Sequence, residues 1–136
     1  MVRIEEVYTA SMADQKAFDR LLRELSPNKK VAALNPRDIS RSFGSSHFHL
    51  FVAKSEGRVV GIGSISFFHP LAGWIGEIHD VVIIPMLRSQ GIGKRLMKRL
   101  LIEAHRFAIR EFSPVKLCLT SRPSRGASHP ENRRHR

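Results

Sequence analysis

The chain has 136 residues, 42% of them hydrophobic and 26% charged, which is the composition of one globular domain with a core of its own. We expect a cytoplasmic protein that does not enter a membrane, because no apolar run reaches the roughly 18 residues of a membrane span, no signal-peptide pattern opens the chain, and the single Cys118 excludes an intrachain disulfide. The net charge of +11 is uneven, with 10 basic and 9 acidic residues in 1–87 but 13 and 3 in 88–136, and this asymmetry predicts a polyanionic ligand such as a phosphate-rich cofactor, nucleic acid or an anionic surface.

The hydrophobic pattern predicts five strands and three helices in the order β-α-α-β-β-β-α-β. The strands are predicted at 2–8, 47–54, 58–68, 74–84 and 115–119, and the helices at 11–25, 35–43 and 91–110. Ser11 and Asp14 have the spacing of a capping box at the start of the first helix. This order indicates an α/β domain over residues 1–120 with a mixed sheet, antiparallel at its centre. Residues 121–136 are rich in Pro, Gly, Ser and Arg and are expected to be an irregular or disordered basic tail.

The third predicted helix has the clearest apolar face in the chain. Its members recur at helical spacing: Ile92, Leu96, Met97, Leu100, Leu101, Ala104 and Ala108.

The start of this helix carries positive charge where helices favour negative charge. In "IIPMLRSQGIGKRLMKRL", residues 83–100, a strand meets a proline and two glycines, and then Lys94, Arg95, Lys98 and Arg99 follow. Helix N-termini carry a positive dipole, so these cations are unfavourable unless an anion lies beside them. Glycines in such a turn allow consecutive backbone N–H groups to face one anion. The alternative is an ordinary glycine turn before a solvated basic helix.

Two familiar phosphate-binding loops do not fit this stretch. A Walker A loop requires glycine where Arg88 stands and Ser or Thr where Arg95 stands. A Rossmann fingerprint requires a third glycine at the position of Leu96.

The longer stretch "VVIIPMLRSQGIGKRLMKRLL" resembles the acetyl-coenzyme A (acetyl-CoA) signature of the GNAT superfamily of N-acetyltransferases. The matching residues are Val81, Val82, Ile83, Pro85, Arg88, Gly91, Gly93 and Leu96. The predicted element order extends the resemblance over about residues 2–125. It implies a GNAT-type mixed, largely antiparallel sheet flanked by helices.

The resemblance also implies how acetyl-CoA would be held. Backbone N–H groups of the loop would bind its pyrophosphate, and the strand would pair with its pantetheine arm and polarise the thioester carbonyl. The residues so assigned are Val81, Val82, Ile83, Arg88, Ser89, Gln90, Gly91, Ile92, Gly93 and Lys94. A primary amine would then attack the thioester directly, without a metal and without a covalent enzyme intermediate.

The stretch "GEIHD" before the cofactor strand supplies the candidates for a general base. His79 stands where relatives often carry an acidic residue, and imidazole is suited to proton transfer near neutral pH. Glu77 would share its strand face, and Asp80 follows it. The alternative is that all three are polar residues lining a strand.

His47 and His49 would also share one strand face and would suggest a metal site. No third ligand has a suitable spacing, so no metal is expected. Cys118 is expected to be a small core residue rather than a nucleophile.

The C-terminal end departs from the family pattern. Asn132 stands where relatives carry the tyrosine that protonates the departing thiolate, Pro130 would interrupt the helix expected there, and the only tyrosine is Tyr8. The chain is therefore expected to be truncated or altered there, lacking the family's last helix and two strands. The strand at 115–119 would then be an open edge, which predicts a homodimer.

The sequence thus predicts an acetyl-CoA-dependent N-acetyltransferase acting on a small-molecule or peptide amine. One alternative is a catalytically inactive acyl-CoA-binding or partner-binding relative, since the general-acid tyrosine is absent. A less favoured alternative is a nucleic-acid binder through the basic half, which lacks aromatic residues interleaved with the basic ones. Nonspecific nucleic-acid binding by the "RRHR" end is compatible with either.

Overall fold

A five-stranded sheet with helices on both faces organises residues 1–25 and 34–119, the part of the chain that the computed structural model describes. In chain order its elements are β1 Val2–Val7, α1 Met12–Leu25, α2 Pro36–Phe43, β2 Phe48–Ser55, β3 Arg58–Phe68, β4 Trp74–Ile83, α3 Ile92–Glu111 and β5 Val115–Leu119, with one 3₁₀ turn at Pro85–Leu87 between β4 and α3. The predicted order is confirmed, and no predicted boundary of a helix or strand differs by more than one residue. None of the helices in these ranges has the length and apolar character that a bilayer crossing requires.

Side chains cap both early helices, as their sequences indicate. The Ser11 hydroxyl accepts a hydrogen bond from the Asp14 N–H at 3.1 Å, and the Asp14 carboxylate accepts one from the Ser11 N–H at 3.2 Å. This is the reciprocal capping box. At α2, the Asn35 side chain accepts from the Arg37 N–H at 2.8 Å, and Pro36 opens the helix where no N–H is needed.

The strand order is β1-β2-β3-β4-β5. The first three pairs are antiparallel, and β4 and β5 pair in parallel because α3 carries the chain back across the sheet. The predicted mixed, largely antiparallel sheet flanked by helices is therefore confirmed. Two predictions concern the C-terminal end, namely the missing last helix and two strands and the irregular tail at 121–136. Residues 120–136 lie outside the described residues.

Each face of the sheet carries its own core. The core under α3 is built from large apolar side chains, among them Phe51, Ile65, Leu96, Leu100 and Phe107. The core under α1 is built from a second set, among them Phe18, Leu21, Leu50, Val52 and Ile62. The alternation of β2, where Leu50 and Val52 face one way and Phe51 and Ala53 the other, supplies both layers.

The buried face of α3 differs from the predicted one. Leu101 is 44% exposed, whereas Glu103 and Phe107 are 4% and 1% exposed. The prediction was wrong for Leu101 because this residue lies about 100° around the helix from the fully buried Leu100. Cys118 is free and only partly buried on β5, so it does not belong to the deep core expected for it.

Replacing Phe107 with alanine should cost about 3–5 kcal/mol of unfolding free energy, because a buried ring is lost and a cavity remains. Phe107 stacks on Phe67 with ring centres 4.0 Å apart. The matched control is Phe112→Ala, at a position that is 96% exposed, and it should change stability by less than about 0.5 kcal/mol. Urea denaturation measures both, and equal losses would contradict the assignment of the core.

Candidate active site

A β-bulge interrupts β4 where the catalytic candidates lie. Ser64 pairs with His79 and Ile62 pairs with Val82, so two residues of β4, Asp80 and Val81, face Gly63. Asp80 has φ of 59°, in the left-handed region that aspartate tolerates better than most side chains. As a result Asp80 lies on the α1 side of the sheet, while the next residue packs on the core under α3.

Beyond the bulge, one edge of β4 is uncovered within the described part of the chain. The parallel pairing with β5 runs from Trp74↔Val115 to Ile78↔Leu119 and no further. A groove of about 490 Å³ lies along the continuation of β4, lined by Glu24, Leu25, Val81, Val82, Ile83, Leu87, Arg88, Ser89 and Gly93. The geometry thus brings together the predicted cofactor strand and part of the predicted cofactor loop.

The loop into α3 presents backbone N–H groups at the end of this groove. Ser89 and Gly91 both have positive φ, 71° and 83°, and these reverse the chain just before the helix. The first-turn N–H groups at 92–94 have no acceptor within the helix, and no side chain caps this end. A Cβ at Gly93 would meet no atom within 4 Å, so a side chain there would extend into open space. This arrangement suits an anion.

Arg88 ties the loop to the strand. Its Nε donates to the Ile83 carbonyl at 2.9 Å, its backbone N–H donates to the Pro85 carbonyl at 3.2 Å, and its Nη2 lies 3.6 Å from a Glu24 carboxylate oxygen. These contacts give Arg88 a positioning role. The ion pair also offsets the negative charge of Glu24 in the groove. Direct contact of Arg88 with a cofactor stays a prediction.

His79 and Glu77 are in contact on β4. Nε2 of His79 lies 3.0 Å from Oε1 of Glu77, and the two side chains are 31% and 34% exposed. A carboxylate at this distance fixes the imidazole and favours a proton on Nε2, which leaves Nδ1 able to accept one. The Ser64 hydroxyl donates to the His79 carbonyl at 3.3 Å and links the pair to β3.

A second cavity, which the sequence did not predict, lies on the α1 side next to the bulge. It has a volume of about 150 Å³, is open to solvent on one side and is lined by residues of α1, α2 and strands β2–β4. Its walls are mainly apolar, and Ser64 and Asp80 contribute oxygen atoms on the sheet side. The only sequence signal for it was the unusual number of phenylalanine and leucine residues that α1, α2 and β2 place on this face.

The basic residues at the start of α3 fall into two groups. Lys94, Arg95 and Lys98 are exposed. Arg99 instead donates to the Ile4 carbonyl at 3.4 Å and lies 4.8 Å from the centre of the Phe51 ring, so it fastens the helix to the sheet. Three of the four predicted cations thus remain at the surface near the loop.

A partly buried polar cluster on the α3 side of the sheet gives His49 partners that its sequence spacing did not reveal. His49 Nδ1 lies 2.7 Å from a Glu6 carboxylate oxygen. Nε2, which has no hydrogen-bond partner among the described residues, lies 3.5 Å from an oxygen of Glu103. The three side chains have the chemistry of metal ligands, with ligand atoms within 4.8 Å of one another. Arg106 lies 3.9 Å from Glu103 and balances part of its charge. The absence of a metal stays a prediction.

Tyr8 belongs to this cluster rather than to the bulge on β4. Its hydroxyl donates to Glu6 at 3.1 Å, and this bond to a carboxylate raises the pKa of Tyr8.

His47 packs edge-on against two rings. Its ring centre lies 5.4 Å from that of Trp74 and 5.5 Å from that of Phe107. His47 therefore contributes to the core under α3.

Comparison of sequences connects these features to a known family. The model of the acetyltransferase (GNAT) family matches residues 14–118. The chain is 33% identical over 66 residues to an N-alpha-acetyltransferase, RimI, of Mycobacterium tuberculosis, which is 48% of this chain and 42% of that protein. It is 30% identical over 94 residues to an aminoalkylphosphonate N-acetyltransferase of Salmonella typhimurium, which is 68% of this chain and 61% of that protein.

Solved structures share the fold at lower identity. A Trypanosoma brucei acetyltransferase superposes with a TM-score of 0.66 at 22% identity, over 90% of this chain and 84% of that one. A predicted acetyltransferase of Clostridium acetobutylicum, solved with acetyl-CoA, also superposes with a TM-score of 0.66, at 18% identity over 96% and 92% of the two chains. With the family match over residues 14–118, the bulged β4 and the glycine turn into α3, the chain belongs to the GNAT family of acetyltransferases.

Proposed function

We propose that the protein transfers the acetyl group of acetyl-CoA to a primary amine. The observation that carries the proposal is the succession on β4 of a His79–Glu77 pair, a bulge and an uncovered strand segment that leads into the loop before α3. A potential proton acceptor and an extended binding edge thus lie a few residues apart on one strand.

The groove fits the donor substrate in shape and charge. The edge of Val81–Ile83 that faces away from β3 is not paired with β5, although Arg88 bonds to the Ile83 carbonyl. This edge suits an amide-containing arm, which would add to the sheet as a strand does. The first-turn N–H groups of α3 suit its pyrophosphate, with the exposed Lys94, Arg95 and Lys98 close by in sequence. The structure of the Clostridium acetobutylicum relative solved with acetyl-CoA supports this assignment.

The chemistry requires an amine lone pair and a place for a proton. Acetyl-CoA supplies a thioester, whose carbonyl carbon forms the new C–N bond while the C–S bond breaks and the coenzyme leaves as its thiolate. His79 accepts the proton released by the amine, and Glu77 stabilises the resulting imidazolium at 3.0 Å.

Two measurements test the proposal. Calorimetry should show that the protein binds acetyl-CoA, and a thiol-release assay with a panel of primary amines should show turnover. If no binding of acetyl-CoA is found, the proposal is wrong.

One observation favours the alternative of an inactive acyl-CoA-binding relative. Tyr8, the only tyrosine in the chain, is bonded to Glu6 and is 71% exposed, so no tyrosine lines the groove in the described part of the structure. This alternative predicts binding of acetyl-CoA without thiol release on any amine.

Association of two chains through β5 stays a prediction. The strand lies at one end of the sheet order, and Leu117 and Leu119 on it are 42% and 66% exposed. Sedimentation equilibrium should show a dimer that Leu119→Lys converts to a monomer. A monomer at all concentrations would contradict the prediction.

Nucleic-acid binding and a cytoplasmic location are likewise predictions. The exposed cations of α3 would give binding that weakens steeply with salt. Filter binding of duplex and single strands at two salt concentrations tests the first, and cell fractionation tests the second.

A further inference from the structure

We propose that the acceptor is a primary amine carrying a compact apolar group, either an aromatic ring or a branched alkyl chain, and that this group enters the cavity on the α1 side of the bulge. The inference rests on the proposed acetyl transfer and specifies its acceptor.

The cavity and the donor groove meet at consecutive residues of β4. Asp80 lines the cavity, and Val81 lines the groove. Helix α1 borders both, through Leu22 at the cavity and Leu25 at the groove. An amine whose carbon skeleton fills the cavity would therefore have its nitrogen at the part of β4 where the acyl group is expected.

The cavity walls select against charged and sugar-like groups. They include the side chains of Phe18, Leu22, Phe43, Phe48, Leu50 and Ile62, and no lysine or arginine lines the cavity among the described residues. A phosphonate, phosphate or polyhydroxylated group would lose its hydration there without gaining a cationic partner from the described walls. Each apolar methylene that enters such a site favours binding by about fourfold.

The size of the cavity limits the apolar group. Its volume is about 150 Å³. Apolar cavities of that volume in other proteins, lined by Leu, Ile and Phe, hold a benzene molecule. A phenyl ring or a branched five-carbon chain therefore fits.

Two of the three polar residues that line the cavity, Ser64 and Asp80, lie on the sheet side, where the amine would be, and the third, Ser42, lies on α2. Ser64 is 3% exposed, and its hydroxyl donates to the His79 carbonyl, so its oxygen lone pairs face other donors. The cavity thus offers an apolar wall for the carbon skeleton and the Ser64 oxygen, next to β4, for an N–H group.

The test compares acceptors and one pair of variants in the full chain. With acetyl-CoA, 2-phenylethylamine and 3-methylbutylamine should give kcat/KM at least about tenfold above ethylamine and above 2-aminoethylphosphonate. Ser42→Phe, on the cavity side of α2, should lower the ratio of 2-phenylethylamine to ethylamine turnover about tenfold. Ser40→Phe, an exposed position on the same helix that does not line this cavity, should keep that ratio.

A second readout separates this inference from the proposed function. Saturation-transfer NMR should detect 2-phenylethylamine bound to the unmodified protein and lose the signal in Ser42→Phe. If acetyl-CoA is neither bound nor consumed, the proposed transfer fails, and the NMR signal alone decides whether the cavity holds the ring. Absence of that signal, or turnover of ethylamine or the phosphonate equal to that of 2-phenylethylamine, overturns the inference.

Discussion

Replacing Gly93 with leucine should abolish the binding of acetyl-CoA without lowering stability. Gly93 lies in the first turn of α3 and lines the groove, and a Cβ there would meet no protein atom within 4 Å. The leucine side chain would therefore occupy space that the proposed pyrophosphate site needs. We expect a loss of at least about 100-fold in affinity, equivalent to about 2.8 kcal/mol, in calorimetry.

The fold should tolerate this change because glycine is a poor helix former. Replacing it in the first turn of the helix should not destabilise the protein, and thermal denaturation should show no fall in Tm. Gly91 is not a suitable site for this test, since its φ of 83° would strain leucine and most other residues.

Two further variants serve as comparisons for Gly93→Leu. Gly93→Ala should lose less affinity than Gly93→Leu, since the methyl group is smaller. Glu111→Leu adds a leucine at the exposed, opposite end of α3 and should bind acetyl-CoA as the unmodified protein does. Normal binding by folded Gly93→Leu would show that the ligand does not approach this turn.

Replacing His79 with alanine should reduce the rate of thiol release by about 100-fold or more, the usual contribution of a general base. His79 can accept the proton of the amine on Nδ1, because its other ring nitrogen, Nε2, contacts Glu77 at 3.0 Å. The effect should fall on kcat, and binding of acetyl-CoA measured by calorimetry should remain. His105→Ala, an exposed histidine on α3, is the control for losing an imidazole elsewhere.

Glu77→Gln tests whether Glu77 acts through His79. The amide keeps the size of the side chain and loses its charge, so we expect a smaller loss than for His79→Ala. In the double variant the two losses should not add, because one group positions the other. The pH dependence of kcat should also change in Glu77→Gln, which a merely structural role would not cause.

Asp80→Asn decides between the remaining candidates for the base. Asparagine tolerates the left-handed backbone at this position, where φ is 59°, so the bulge should persist. A larger loss for Asp80→Asn than for His79→Ala would identify Asp80 as the base and contradict the assignment of His79.

The sequence determined the helices, the strands and the glycine turn before α3 because these depend on local chemistry. The Ser11–Asp14 spacing, the proline after β4 and the glycines before α3 each restrict the backbone within a few residues. The helices and strands that these residues begin or end lie within one residue of their predicted positions. The role of the basic residues of α3 was predicted less completely. Arg99 was grouped with the cations near the loop, but in the folded protein it contacts β1 and Phe51.

Only the tertiary structure decided which residues that are distant in sequence lie next to each other. The bulge that places Asp80 against the α1 side arises from the pairing of β4 with β3, and the apolar cavity arises from packing α1 and α2 on that face. The contact of His49 with Glu6 and Glu103 joins β1, β2 and α3 across 43 and 54 residues of chain. Such contacts leave no periodic or spacing signal in one sequence, because they depend on how distant elements pack and not on the chemistry of neighbours along the chain.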